Sequence, residues 1–214
     1  MNSAPFAVSL QGHLTASAGR IAGFEIDGHK ILTSDELLSL DEVPESVAII
    51  GGGAIGVEFA SALNDFGSSV TIVEALPDIL SGCDKDLSKA VSRSFKKRGI
   101  NILTDSTVKG HTKKEDMVTL HLEGEDINVE KVVISIGRRP FADLLGLSET
   151  SITVDTGGFI PVDSFCRTDE EDVYAIGDLI DTPQLAHVAF AEAIVVIKDI
   201  CGEDVAPVDY DKVP

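Results

Sequence analysis

The spacing of hydrophobic residues changes twice in the middle of the chain. Apolar residues fill 47–50 without interruption, which predicts a buried strand, and then recur at helical spacing at Val57, Ala60, Leu63 and Phe66. A second apolar run, 70–73, predicts another strand, and Glu74 follows it. This strand–helix–strand order is typical of two parallel strands joined by a helix.

Predicted strands and helices continue along the chain to residue 136. An amphipathic helix is predicted over 84–98, with basic residues in its last turn, Gly99 just beyond, and apolar residues at Leu87, Ala90, Val91 and Phe95. Strands are predicted over 100–103 and 131–136. Between them, the alternation at 118–122 and the turn at 123–124 predict an antiparallel meander.

Three glycines follow the first strand in the pattern Gly51-x-Gly53-x-x-Gly56. The first lets the chain turn sharply, the second lets a pyrophosphate approach the backbone, and the third lets helix and strand pack closely. The helix N-terminus adds unpaired N–H groups and a partial positive charge. With the flanking strands and an acid about 20 residues further on, the motif predicts a dinucleotide site. The alternative is a glycine turn in an ordinary strand–helix–strand unit.

Glu74 indicates which dinucleotide to expect. A carboxylate at the end of the second strand accepts hydrogen bonds from ribose hydroxyls and repels a 2′-phosphate, and 75–83 contains no Lys or Arg to bind one. NAD(H) is therefore favoured over NADP(H). The alternative is an ordinary acid at the surface end of a strand.

The ends of the chain are predicted to differ from its middle. Residues 1–21 are small, polar and without periodicity, so we expect them to be loosely ordered. Residues 33–36 form a capping box that opens a short helix. Beyond 140 we predict a hairpin around a glycine turn over 152–162, a short strand over 173–176 and a helix over 185–200.

These elements predict an α/β fold: a Rossmann-like parallel sheet with helices on both faces and a β-meander. We divide the chain into an N-terminal extension and linker with a short helix (1–42), an NAD(H)-binding domain (43–139) and a second lobe (140–214). The boundary between the last two is expected near 139–146.

The net charge and the cysteine content restrict the kinds of partner and the cellular location that we expect. With 17 basic and 36 acidic residues the net charge is −19, which disfavours nucleic acid and anionic membrane surfaces. It fits a halophilic or marine source, or high solubility alone. Cys83, Cys166 and Cys201 form neither a CxxC nor a CxxxxC pair, so we expect no metal site and a reducing, cytoplasmic location. Neither a membrane span nor a signal peptide is predicted.

Several segments, in their order, resemble the dihydrolipoamide dehydrogenase family of flavin- and NAD-dependent disulfide oxidoreductases. They are TSDELLSL, IGGGAIGVEFA, TIVEALPDIL, LSKAVSRSFKKRGI, VVISIGRRP, GGFIPVD, and DVYAIGD followed by LAHVAFAEA. The resemblance covers 24–214. Family members begin with an FAD-binding GxGxxG and a redox-active CxxxxC pair, and end with a dimerisation domain carrying a His–Glu acid/base pair. None of these motifs is in the 214 residues, and 13–19 is at best a degraded crossover strand. The resemblance thus implies the NAD domain followed by a partial FAD-domain lobe.

The resemblance also implies roles for single residues. Glu58 matches a family glutamate near the nicotinamide, but its lysine partner is absent here, so an exposed helix acid is an equal alternative. Ala54 stands where relatives often carry a bulkier residue that covers the flavin, which leaves the nicotinamide pocket more open. Gly137 matches a glycine whose backbone passes close to the nucleotide. Asp178 resembles the acid that binds the ribityl chain of FAD.

The predicted cofactor-binding residues are therefore Gly51, Gly53, Ala54, Ile55, Gly56, Glu58, Glu74, Ala75, Gly137 and Asp178. Arg138 and Arg139 are interpreted as domain-hinge ion pairs rather than ligand contacts. Catalytic residues are not predicted.

Three functions remain open. The chain is first interpreted as the NAD(H)-binding portion of such a flavoprotein, unable alone to reduce disulfides and binding FAD only if the missing lobe is supplied. The second is a promiscuous hydrolase using Cys201 or a serine near His187, although no G-x-S-x-G elbow occurs. The third is a non-catalytic module that docks on a flavoprotein partner chain. Because the lobe over 140–205 is incomplete, we expect it to form a homodimer or to be disordered.

Overall fold

The computed structural model describes residues 24–142 and 144–213, together with three two-residue strands before them. The chain divides into two compact units, Met1–Gly137 and Arg138–Pro214. The expectations for 1–21, including the degraded strand at 13–19, fall mostly outside the described residues.

The elements of the first unit follow the predicted order. Its helices are α1 (Ser34–Leu38), α2 (Ala54–Asp65) and α3 (Lys85–Arg98). Its strands are β1 (Ala7–Val8), β2 (Leu14–Thr15), β3 (Arg20–Ile21), β4 (Phe24–Glu25), β5 (Ile31–Leu32), β6 (Ser46–Ile50), β7 (Ser69–Val73), β8 (Asn101–Leu103), β9 (Gly110–Lys113), β10 (Val118–His121), β11 (Asp126–Val129) and β12 (Lys131–Ile134).

Caps fix the ends of the helices where the sequence indicated them. Thr33 and Glu36 form the predicted capping box of α1. The Asp84 carboxylate caps α3 by accepting the backbone N–H of Asp86, and Gly99 ends that helix in the left-handed conformation, with φ of 88°. Local hydrogen bonds therefore set these helix boundaries.

Five parallel strands form the central sheet, in the order β5-β12-β6-β7-β8. β6 pairs with β7 on one side and with β12 on the other. The chain leaves β6 through α2 towards β7, whereas β12 lies on the opposite side of β6. A reversal of this kind opens a crevice at the carboxyl ends of the strands, where ligands of open α/β sheets bind.

The two faces of this sheet are covered differently. Val47 and Ile49 belong to a hydrophobic cluster that also contains residues of α1, α2 and α3. Ala48 and Val132 belong to a second cluster, with residues of β10 and β11. Our expectation of helices on both faces is therefore wrong for the described residues, because the apolar side of the antiparallel sheet β11-β10-β9 already buries the second face.

The second unit is built around one helix, α4 (Ala186–Ile200), with short 3-10 turns at Leu147–Glu149, Gly177–Leu179 and Tyr210–Lys212. Its apolar core includes Ile160, Ala175, Ile180 and Val196. The predicted hairpin and the strand at 173–176 are not strands in the described part of this unit. A turn joins Asp155 to Phe159 and an isolated bridge pairs Arg167 with Tyr174.

Among the described helices, none combines the length and the apolar character needed to span a bilayer.

Candidate functional site

The loop between β6 and α2 lies at the carboxyl end of the sheet. Gly51 leaves β6 with φ of 109°, and its backbone N–H donates to the carbonyl oxygen of Val73 over 2.9 Å. Gly53 then caps α2 in an extended conformation. The loop is thus tied to the ends of both β6 and β7.

The three motif glycines are required for different reasons. A Cβ on Gly51 would lie 2.1 Å from the carbonyl oxygen of Ser135, and a Cβ on Gly56 would lie 2.1 Å from the carbonyl oxygen of Gly51. Packing of the protein against itself therefore demands glycine at these two positions. Apart from Gly53 itself and the adjoining backbone, no described atom lies within 4 Å of a Cβ placed on Gly53, which is exposed. The space over Gly53 is open for a ligand, as a pyrophosphate site requires.

The first turn of α2 suits an anion. No side chain of the described residues caps its N-terminus, and the turn contains no acidic residue. Its first N–H groups and the positive end of the helix dipole are therefore available to a phosphate. Ala54 is exposed and Ile55 is half-buried beside this end of the helix.

Glu74 is fixed beside the same loop. Its Oε2 accepts the backbone N–H of Gly52 over 2.6 Å, and its Oε1 accepts the backbone N–H of Leu76 over 2.8 Å. A carboxylate has about four acceptor positions, so both oxygens can still accept hydrogen bonds from ribose hydroxyls. The structure thus brings Glu74 to the glycine loop, as the strand order predicted.

Gly52 is a site residue that the motif does not identify. A Cβ at this position would lie 2.7 Å from Cγ2 of the fully buried Ile79 and 3.1 Å from Oε2 of Glu74. Its carbonyl oxygen accepts the backbone N–H of Leu80 over 2.7 Å. The run of three glycines at 51–53 was the available signal, since the motif alone needs only the outer two.

The other predicted residues of the first unit lie in exposed positions. Glu58 is exposed on the second turn of α2, and Ala75 is exposed directly after Glu74. Gly137 has φ of 133°, and apart from its chain neighbours no described atom lies within 4 Å of where its Cβ would be. All three positions remain predicted contacts of the nucleotide.

Asp178 lies in the 3-10 turn Gly177–Leu179 of the second unit. It forms an ion pair with Arg138 over 3.7 Å, and both residues belong to the second unit, so the domain-hinge role of Arg138 stays a prediction. The turn itself is held by Glu192, a fully buried residue of α4. The Oε2 atom of Glu192 accepts the backbone N–H of Gly177 over 2.6 Å, and its Oε1 accepts the Thr182 and Tyr210 hydroxyls over 2.8 and 3.1 Å.

The cysteines and His187 are considered as a possible nucleophile and base for hydrolysis. Cys201 and His187 are exposed at opposite ends of α4. Cys166 is buried, and burial first, then the nearby charges of Glu192 and Asp163, raises the pKa of its thiol to about 11. These thiols and imidazole do not form a nucleophile–base pair in the described structure.

A hydroxyl–imidazole–carboxylate arrangement occurs elsewhere, on the antiparallel sheet. The Thr112 hydroxyl lies 2.8 Å from Nε2 of His121, whose Nδ1 lies 2.9 Å from Oδ1 of Asp126. The carboxylate favours the tautomer with the proton on Nδ1, which leaves Nε2 to accept the hydroxyl proton. These contacts are exposed to solvent.

Comparison with known proteins gives the family. A family model described as pyridine nucleotide-disulphide oxidoreductase matches residues 3–193. A dihydrolipoyl dehydrogenase of Bacillus subtilis is 40% identical over 200 residues, covering 91% of this chain and 42% of that protein. One from Haloferax volcanii is 35% identical over 193 residues, covering 87% of this chain and 41% of that protein.

Solved structures agree with this result. LpdA from Mycobacterium tuberculosis matches with a TM-score of 0.81 and 27% identity, covering 95% of this chain and 47% of that one. The HOCl-induced flavoprotein disulfide reductase RclA from Escherichia coli matches with a TM-score of 0.77 and 30% identity, covering 83% and 41%. The chain spans less than half the length of these relatives. The resemblance inferred from the sequence is confirmed: the chain belongs to the pyridine nucleotide-disulphide oxidoreductase family.

Proposed function

We propose that this chain is the NAD(H)-binding portion of a dihydrolipoamide dehydrogenase-like flavoprotein oxidoreductase, with the nucleotide bound by residues 43–139. The observation that carries the proposal is the open space over Gly53, between two glycines that packing already demands. The residues present fit a dinucleotide, because the pyrophosphate would meet the N-terminus of α2, where no described side chain caps the N–H groups, while Glu74 would hold the adenosine ribose.

NAD(H) rather than NADP(H) is the proposed ligand. Backbone hydrogen bonds to both oxygens fix the position of the Glu74 carboxylate, where it would repel a 2′-phosphate. Residues 75–83 contain no Lys or Arg to neutralise that phosphate. The protein's own contribution is then to bind and orient the nucleotide. Gly137 and Glu58 are proposed to border its nicotinamide end.

We assign 140–214 to part of an FAD domain. Asp178 is the proposed partner of the ribityl hydroxyls, but the residues present would hold only part of that cofactor. A bound flavin would supply the acceptor for hydride from NADH. The 214 residues contain no CxxxxC pair, so we propose that they cannot reduce disulfides alone. The three free cysteines fit the proposed cytoplasmic location.

Calorimetric titration with NADH and NADPH tests this function. We expect the protein to bind NADH and to bind NADPH at least about tenfold more weakly, because the fixed Glu74 carboxylate disfavours a 2′-phosphate. Gly53→Ala should abolish NADH binding without unfolding the protein, since its Cβ meets no described atom. Folded wild-type protein that binds no NADH would overturn the proposal.

A docking module is the second candidate. On α4, Phe190, Ile194 and Ile197 are 72%, 58% and 60% exposed, and their spacing places them on one side of the helix. This chain spans 42% of the Bacillus subtilis relative. We propose that a separate polypeptide, carrying the FAD portion that the relatives have in the same chain, would cover this side of α4. Flavin recovered only when the two chains are purified together would support it. Unchanged recovery after Phe190→Asp and Ile194→Asp would contradict it.

Hydrolysis is the third candidate, favoured by the order Thr112–His121–Asp126. We rank it last because the triad faces solvent, where water competes for each hydrogen bond. Turnover of p-nitrophenyl acetate that is lost in Thr112→Val and in His121→Gln would support it. Turnover that is equal in the wild type and both variants would exclude it.

A further inference from the structure

A buried serine lies beneath the loop that follows Glu74. Ser88 is only 3% exposed, and its hydroxyl donates to the carbonyl oxygen of Ile79 over 2.6 Å. It belongs to the first turn of α3, and it shares the packed side of that helix with Val91 and Phe95. The neighbouring Leu87 is 61% exposed. The pattern predicted that Leu87 would begin the buried side of this helix, but Ser88 is buried there instead.

The segment that Ser88 holds reaches the glycine loop directly. Ile79 is fully buried and packs against Gly52, while the next residue, Leu80, donates its backbone N–H to the carbonyl oxygen of Gly52 over 2.7 Å. Leu80 adopts φ of 54°, in the left-handed region that non-glycine residues rarely use. Such a conformation persists only where surrounding contacts determine it.

Gly52 in turn contacts Glu74. Its N–H donates to Oε2 of the carboxylate over 2.6 Å, and Leu76 holds Oε1 over 2.8 Å. A continuous series of contacts thus runs from the Ser88 hydroxyl through Ile79, Leu80 and Gly52 to Glu74. The carboxylate is held from two sides, and α3 anchors one of them.

We propose that Ser88 is a positioning residue for recognition of the adenosine ribose, and that discrimination between NADH and NADPH depends on it. Ser88 acts through other residues and does not touch the nucleotide. The inference rests on the proposed NAD(H) site and adds a specificity determinant to it.

Loss of the hydroxyl has a predictable consequence. Ser88→Ala leaves the buried Ile79 carbonyl oxygen without its donor, so the 79–80 segment shifts to find another. Gly52 and the Glu74 carboxylate then lose a fixed position. Hydrogen bonds to the ribose weaken, and so does the repulsion of a 2′-phosphate. NADH affinity should fall about three- to tenfold, and NADPH affinity should fall less or rise.

The experiment is a calorimetric titration of the whole chain with NADH and with NADPH. It compares the wild type with Ser88→Ala, with Ser88→Thr, which keeps the hydroxyl, and with Ser94→Ala, which removes an exposed hydroxyl from the same helix. The deciding quantity is the ratio of the NADPH and NADH dissociation constants. We expect Ser88→Ala to lower this ratio at least threefold, and Ser88→Thr and Ser94→Ala to leave it near the wild-type value.

The possible results are distinct. A wild type that binds no NADH defeats the proposed function, and this inference with it, before any variant is compared. If the wild type binds NADH but the ratio in Ser88→Ala stays within twofold of wild type, only the positioning role is overturned. Equal weakening of both nucleotides also overturns the positioning role, because it shows a general loss of structure and not a displaced carboxylate.

Discussion

A Cβ atom on Gly56 would lie 2.1 Å from the carbonyl oxygen of Gly51, so the first turn of α2 rests directly on the loop before it. Gly56→Ala must therefore push helix and loop apart. We expect it to lower the free energy of unfolding by about 1–3 kcal/mol, the usual penalty for overpacking. Urea denaturation followed by circular dichroism measures this.

Gly53→Ala is the matched control. Its Cβ meets no described atom, and the change from glycine to alanine at a helix N-cap should lower the free energy of unfolding by less than about 1 kcal/mol. Equal destabilisation by both substitutions would show that the two glycines do not differ in the way described.

Glu74→Gln should change nucleotide preference more than stability. The carboxamide can accept only one of the N–H groups of Gly52 and Leu76 and carries no charge. We expect NADH affinity to fall about tenfold, the equivalent of about 1.4 kcal/mol, and the NADPH-to-NADH ratio of dissociation constants to approach one. Fluorescence titration of the reduced nucleotides measures both. Asp78→Asn, an exposed acid of the same loop, should leave the ratio unchanged.

Glu192→Ala should destabilise the second unit strongly. The substitution leaves the N–H of Gly177 and the hydroxyls of Thr182 and Tyr210 without their acceptor. Hydrogen bonds to a charged acceptor contribute about 1.5–3 kcal/mol each, and the partial exposure of these three donors lowers that figure, so we expect a loss of at least about 3 kcal/mol in the free energy of unfolding.

Two further variants show how much of the expected destabilisation comes from a single hydrogen bond of Glu192. Tyr210→Phe removes one hydrogen bond and should lower the free energy of unfolding by about 1 kcal/mol, whereas the exposed Glu171→Ala should change it by less than about 0.5 kcal/mol. Thermal unfolding of all three variants gives the comparison. A stable Glu192→Ala protein would mean that this carboxylate does not organise the unit.

Two of the three thiols should react with Ellman's reagent in the native protein at pH 8. Cys83 and Cys201 are exposed, whereas burial and neighbouring acids raise the pKa of Cys166 to about 11. The thiolate is the reactive form, so Cys166 should react only after denaturation. Absorbance of the released thiolate should report about two equivalents from the native protein and about three from the denatured protein. A Cys166→Ser variant should lose only the equivalent that appears on denaturation.

Periodicity predicted α3 well but not its buried side. Leu87 and Ala90 completed an apolar pattern, yet Leu87 is exposed and Ser88 is buried instead. The hydroxyl of Ser88 is satisfied by the Ile79 carbonyl, a contact nine residues away that depends on how the loop folds. Hydrophobic spacing contains no information about such a partner. The same holds for Gly52, whose restriction comes from Ile79 and Glu74.

The second unit shows the converse error. Residues 152–162 and 173–176 have strand-like composition, but a strand also needs a neighbour to complete its hydrogen bonds. Within the described residues of this unit, the pairing seen is the single bridge between Arg167 and Tyr174. The helix over 185–200 was predicted to within one residue, because its hydrogen bonds are internal.

The position of β12 determines the order in which the central sheet can assemble. β6, β7 and β8 follow one another along the chain, each joined to the next through one helix, so they can pair before β12 is made. β5 is made before all of them, yet its partner in the sheet is β12, the last of the described strands to be made. During synthesis on the ribosome β5 must therefore wait, unpaired and apolar, until residue 134 emerges. Chains halted within the meander would expose this segment to chaperones and to aggregation, although their glycine loop would already be made.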